Sequence, residues 1–149
     1  MSSSAPEKRK ELKLEVRHVI TPEQVMKNER QARLLQVIQA YGDISEKGLI
    51  HLVYELKEHG IELGYTFSRI GNVITSKQLK DDILALLYVG FVETVGRAKK
   101  LRLTSMGQEA LQKLETPAPE EIKKGIEKVR AKIAAIDAEI ELQHLSKRK

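Results

Sequence analysis

Residues 91–104, FVETVGRAKKLRLT, decide the fold that this sequence predicts. Residues 91–95 are rich in β-branched and apolar side chains, residues 96–100 have the composition of a turn, and residues 101–103 read as a returning strand. Thr104 then caps a short helix that extends to about Leu114. The segment therefore predicts a β-hairpin with a basic tip, set in a chain that is otherwise helical.

Three helices are predicted upstream of this hairpin. The first covers residues 21–41, where Thr21 and Gln24 have the spacing of a capping box, Pro22 suits the first helical position and Gly42 ends the helix. The second runs from an N-cap at Ser45 to about residue 59. The third begins within Thr75-Ser76-Lys77-Gln78, again with the spacing of a capping box, and ends at Gly90. Its predicted buried face consists of Leu79, Ile83, Leu86 and Leu87.

Residues 61–74 form a long connection between the second and third helices. Two glycines and Asn72 stand there among Tyr65, Phe67 and Ile70. We expect an ordered connection in which Tyr65 and Phe67 fill a small core; stacking of these rings on nucleic-acid bases is the alternative.

The C-terminal part of the chain has a different pattern. Pro117 and Pro119 interrupt any continuous helix, and six apolar residues then follow at steps of 4, 3, 4, 3 and 4. This spacing is typical of a coiled-coil seam. We expect the seam to join two copies of the chain, and the alternative is a helix that packs on its own domain. The seam residues are Ile122, Ile126, Val129, Ile133, Ile136 and Ile140.

The fold class expected is therefore mainly α with a small β-hairpin. Residues 1–20 are predicted to be a tail with one short strand around Leu14, and residues 21–115 to be the main domain. Residues 116–119 are a linker, and residues 120–149 a coiled-coil helix with a basic end.

The order of three helices, a hairpin and a capped helix carries a family resemblance. The residues that carry it are Leu79, Ile83, Leu86, Gly90-Phe91-Val92 and Leu103-Thr104-Ser105-Met106-Gly107. Residues 79–114 resemble the winged-helix families of archaeal and bacterial transcription regulators, and the C-terminal helix resembles the dimerisation helix of PadR-type regulators. The chain departs from the pattern between Gly60 and Ile74, because a simple helix-turn-helix has a turn of only about 3–4 residues.

Composition narrows the class of protein. The chain of 149 residues has a net charge of +5 and no cysteine, which excludes disulfides, thiol catalysis and zinc sites built on cysteine. No apolar run is long enough for a membrane span, and residues 1–10 lack the apolar segment of a secretory signal, so we expect a cytoplasmic protein. The four histidines, His18, His51, His59 and His144, are scattered, and no nucleophile–base pattern or phosphate-binding glycine loop is present. We expect no enzyme activity, metal or cofactor.

Two groups of residues are the candidate nucleic-acid contacts. The hairpin contributes Arg97, Lys99, Lys100 and Arg102, with no acidic residue among them, and the start of the third helix contributes Lys77, Gln78 and Lys80. In winged-helix proteins the hairpin, called the wing, and the first turn of the third helix make the contacts with DNA. Asp81 and Asp82 offset the helix lysines, and the outward-facing Leu84 and Tyr88 predict that the C-terminal helix or a second subunit covers the end of this helix.

The function that these features favour is a homodimeric winged-helix protein that binds double-stranded DNA, either a transcription regulator or a chromatin-associated factor. The alternative is a module that docks on a protein or on ribosomal RNA, since the winged-helix fold serves several functions.

Overall fold

The computed structural model of the chain describes residues 20–114 and 118–147, with side chains as far as residue 143. The described part is mainly helical and carries two small antiparallel strand pairs, which confirms the predicted fold class. The strand expected around Leu14 lies outside the described residues.

The first predicted helix is two helices, α1 (Pro22–Lys27) and α2 (Glu29–Tyr41). The Thr21–Gln24 capping box that starts α1 is present as predicted. Asn28 separates the two helices, because its backbone is extended and its side-chain oxygen accepts a hydrogen bond from the Gln31 amide. Its own amide closes the end of α1, so one residue caps both helices.

Helix α3 (Glu46–Glu58) has Ser45 as its N-cap, as predicted, and the connection that follows contains a hairpin that was not predicted. Strands β1 (Ser68–Ile70) and β2 (Val73–Thr75) pair in antiparallel register across Gly71 and Asn72. A Gly-Asn pair between two short β-prone segments is a known signal for a two-residue hairpin turn.

Helix α4 (Lys77–Tyr88) is the third predicted helix. Ser76 is its N-cap and accepts a hydrogen bond from the Leu79 amide. The predicted capping box is wrong in its partners, because the Gln78 side chain accepts from the amide and hydroxyl of Thr66 instead.

The β-hairpin predicted at residues 91–103 is formed by β3 (Val92–Val95) and β4 (Lys100–Leu103), and α5 (Ser105–Gln112) follows it. Leu101 also pairs with Ile44, which ties the hairpin to the start of α3. The Thr104 hydroxyl accepts from the Gly107 amide, and so caps α5 as predicted.

The last helix, α6 (Glu120–Lys147), packs on α3 and α2 of its own chain, which contradicts the predicted intermolecular seam. Four seam residues are buried in the same core as the upstream helices, Ile136 packs against that core, and Ile140 is half-buried. Gly125 allows the close approach, since a Cβ there would lie 2.7 Å from Ile61 Cδ1. The four buried seam residues are Ile122, Ile126, Val129 and Ile133.

Polar contacts fix the register of α6. Asp137 is buried and accepts hydrogen bonds from the Ser45 hydroxyl and the Ser45 amide, at 2.5 and 3.2 Å. Arg130 donates to the carbonyls of Ala40 and Tyr41 at the end of α2, which have no partner within the helix. These hydrogen bonds can form in only one register of α6 against the upstream helices. They therefore make its apolar packing specific.

Candidate nucleic-acid interface

The β3–β4 hairpin, which we call the wing, presents two exposed cations at its tip. Arg97 and Lys99 lie in the turn between the strands, and Lys99 adopts a left-handed backbone conformation with φ of 52°. Neither side chain has an ion pair within the described residues. Both cations are therefore available to an anionic ligand.

The other two predicted wing contacts are neutralised by acidic residues from elsewhere in the chain. Lys100 pairs with Glu141 of α6 at 2.7 Å, and Arg102 makes a two-nitrogen contact with Asp43. The hydrogen bond that Arg102 donates to Asp43 lowers the pKa of Asp43, and the hydrogen bond that Lys100 donates to Glu141 raises the pKa of Lys100. Residues 97–102 contain no acidic residue, but the fold places acidic side chains from other segments beside two of the four cations.

Helix α4 supplies a second pair of exposed cations, Lys77 and Lys80, in its first turn. Neither forms an ion pair among the residues that the structure describes. Gln78 is exposed as well, but its carbonyl oxygen is held by Thr66 at 3.0 and 2.9 Å. Of the predicted reading residues, the two lysines are the ones left with unengaged polar ends.

Asp82 does not offset these lysines, which corrects the charge count made from the sequence. Its side chain is 2% exposed and accepts hydrogen bonds from Arg30, Gln31 and Tyr65 at 2.6 to 3.2 Å. The Asp82 carboxylate raises the pKa of Arg30, while burial is the main cause that raises the pKa of Tyr65. This network fastens α4 to α2 and to the connection, and it sets the direction in which Lys77 and Lys80 point.

The sequence does contain a signal for the burial of Asp82. Residue 82 is three residues after Leu79 and four before Leu86, so it falls on the apolar face of the helix. A carboxylate at such a position needs buried donors. Arg30 and Tyr65 could not be identified as those donors without the tertiary structure.

Among the described residues α6 does not lie over the end of α4, so that part of the prediction is wrong, and cover by a second subunit stays a prediction. Leu84 is 62% exposed and Tyr88 is 58% exposed. Helix α6 packs against α3 and α2 instead. An apolar surface therefore adjoins the two lysines of α4.

The aromatic residues of the connection belong to the core, as predicted. Tyr65 is buried, and Phe67 packs edge-on against Tyr54 with ring centroids 5.5 Å apart. Lys57 lies over the Phe67 ring at 5.7 Å. These rings are not available for stacking on bases.

The described residues contain neither a metal-binding cluster nor a membrane-spanning helix. No three histidines, cysteines or carboxylates cluster at metal-binding distance in residues 20–114 and 118–147. None of the helices in that part of the chain is long and apolar enough to span a bilayer. Comparisons of the chain with protein-family models, with curated proteins and with solved structures gave no match.

Proposed function

We propose that this chain is a winged-helix protein that binds double-stranded DNA, in the class of transcription regulators or chromatin-associated factors. The observation that carries the proposal is the set of four exposed cations without ion pairs, two on the wing and two in the first turn of α4. These are Arg97, Lys99, Lys77 and Lys80. Cations on a hairpin tip and in the first turn of a helix suit contacts with DNA phosphates.

The contacts favour phosphates over base edges. A glutamine that reads adenine uses both its amide nitrogen and its carbonyl oxygen, and the oxygen of Gln78 is already bound to Thr66. Lys77 and Lys80 are point charges that suit phosphate oxygens. We therefore expect binding in which charge dominates and base sequence matters little at Gln78.

A single chain is the binding unit in this proposal. The expectation of a homodimer rested on the heptad seam, and α6 buries that seam within its own chain. Two cation pairs per chain then give about four phosphate contacts, and the logarithm of affinity should fall with the logarithm of salt concentration with a slope of about −3.6.

The test is a titration of the full chain against a duplex of about 30 base pairs at several salt concentrations. The proposal expects binding at low salt with a slope near that value. No binding to duplex DNA at low salt, or binding that salt does not weaken, would overturn it.

A second candidate function is docking on a protein, which the exposed Leu84 and Tyr88 favour. A chain that recovers one protein partner from its own cell extract after nuclease treatment, and still does so when Arg97 and Lys99 are alanine, supports this candidate. Loss of the partner after nuclease treatment supports DNA binding.

A further inference from the structure

The β1–β2 hairpin exposes two apolar side chains at its tip. Ile70 is 81% exposed and Val73 is 61% exposed, and the two are directly paired across the Gly71-Asn72 turn. Directly opposed residues of a hairpin lie on the same face. The tip therefore carries an apolar pair on one side.

The neighbouring pair of residues shows which side this is. Arg69 pairs with Ile74, and Ile74 packs against the core. Because successive residues of a strand alternate between faces, Ile70 and Val73 lie on the face directed away from the core. Their exposure follows from the register and not from loose packing of the turn.

The hairpin is held firmly relative to α4. Strand β2 ends at Thr75, and the next residue, Ser76, is the N-cap of α4. Thr66, just before β1, is bonded to Gln78, and Arg69 donates to the Gly71 carbonyl. The apolar tip thus has a defined position relative to the start of α4.

The charge around the hairpin is positive. Residues 63–80 contain Arg69, Lys77 and Lys80 and no acidic residue. A cavity of about 360 Å³ beside the hairpin is lined by residues 72–75 together with two lysines, Lys47 and Lys80, and one acid, Glu46. The positive charges around the tip suit a ligand with negative charges on its surface. The apolar tip itself suits apolar groups in the interior of that ligand.

We propose that the β1–β2 hairpin is a second DNA-contacting element, which inserts Ile70 and Val73 against the bases of the minor groove and partly unstacks one base step. Apolar wedges of this kind kink duplex DNA while nearby cations hold the phosphates. A second copy of the chain is a poorer occupant, because two such surfaces would place Arg69, Lys77 and Lys80 against the same cations. This inference rests on the proposed DNA binding.

The test compares the wild-type chain with the double variant Ile70→Ala, Val73→Ala. A duplex labelled at both ends reports bending by energy transfer, and 2-aminopurine within it reports unstacking. The wild type should bend the duplex and raise 2-aminopurine fluorescence; the variant should lose both signals and bind about tenfold more weakly, since two apolar side chains leave the contact. Its salt slope should stay unchanged, because no charge is removed.

The matched control is Met106→Ala, Leu142→Ala, which removes two exposed apolar side chains from other elements. It should bend DNA like the wild type. Normal salt-dependent binding by the wild type without bending or unstacking overturns the wedge and leaves the proposed function standing. Self-association of the wild type that the Ile70 and Val73 changes abolish also overturns it, and failure of the wild type to bind duplex DNA overturns both.

Discussion

At the scale of single residues, two adjacent carboxylates have opposite roles. Asp81 is exposed on α4, whereas Asp82 is buried and bound by Arg30, Gln31 and Tyr65. Both residues are aspartates with the same formal charge, and they differ only in the helix face on which each lies. A charge count of a surface therefore has to exclude carboxylates that the fold has already paired.

Replacing Asp82 by alanine should lower the free energy of unfolding by about 2–4 kcal/mol, because Tyr65 and the partly exposed Arg30 lose their acceptor. Replacing Asp81 by alanine should change it by less than about 0.5 kcal/mol. Urea denaturation followed by circular dichroism measures both. Equal effects of the two changes would show that the buried network does not stabilise the fold.

At the scale of elements, α6 shows what a heptad pattern does and does not specify. The steps of four and three residues place six apolar side chains on one face of a helix. They do not specify the surface that covers this face, and here that surface is α3 with α2. Asp137 and Arg130 carry the information that the apolar pattern lacks, since each pairs with the end of an upstream helix.

Replacing Ile133 by lysine should unfold or strongly destabilise the chain, by about 4 kcal/mol or more, because a charge would enter the core of the domain. Leu142→Lys, at a position of α6 that is mostly exposed, should be nearly neutral. Thermal unfolding and sedimentation together are the measurement. A stable Ile133→Lys chain whose only change is a lower mass in solution would restore the intermolecular seam.

The contact between α3 and α6 also depends on a residue without a side chain. A Cβ at Gly48 would lie 2.5 Å from Asp137 Oδ1. Gly48→Ala should therefore destabilise the chain, although alanine is the better helix former, and Gly48→Ala combined with Asp137→Ala should recover part of the loss. A stabilising Gly48→Ala change, measured by thermal unfolding, would contradict the docking of α6.

At the scale of the whole molecule, one hydrophobic core spans α2, α3, α4, the wing and α6. Complete burial of an aliphatic side chain contributes about 1.5–3 kcal/mol, so the four buried seam residues together are comparable with the roughly 5–15 kcal/mol stability of a small domain. Residues 1–115 alone should therefore fail to fold cooperatively. A sharp thermal transition of that fragment would show that α6 is dispensable.

The sequence predicted the local features well. Caps at Thr21, Ser45 and Thr104 and the wing hairpin all follow from short-range chemistry, and the structure contains them. The features it did not predict depend on distant partners. The pairing of Arg102 with Asp43 joins residues 59 positions apart, and no local pattern indicates it. For this reason only four of the seven predicted contact residues, the four exposed cations without ion pairs, remain in the candidate site.

The central claim is that these four cations bind duplex DNA, and the most direct measurement compares two variants of equal charge. One replaces Arg97, Lys99, Lys77 and Lys80 with alanine. The other replaces four exposed lysines on α1, on α6 and just after α5, which are Lys27, Lys113, Lys124 and Lys128. Both lose four positive charges, so net charge alone cannot separate them.

Salt titrations of both variants and the wild type on a duplex of about 30 base pairs decide the claim. The first variant should lose about 3.6 from the salt slope, at 0.9 per phosphate contact, and the second should keep the wild-type slope. Equal slopes for the two variants would contradict the account, because the wing and α4 would then contribute no more than any other basic surface of the chain.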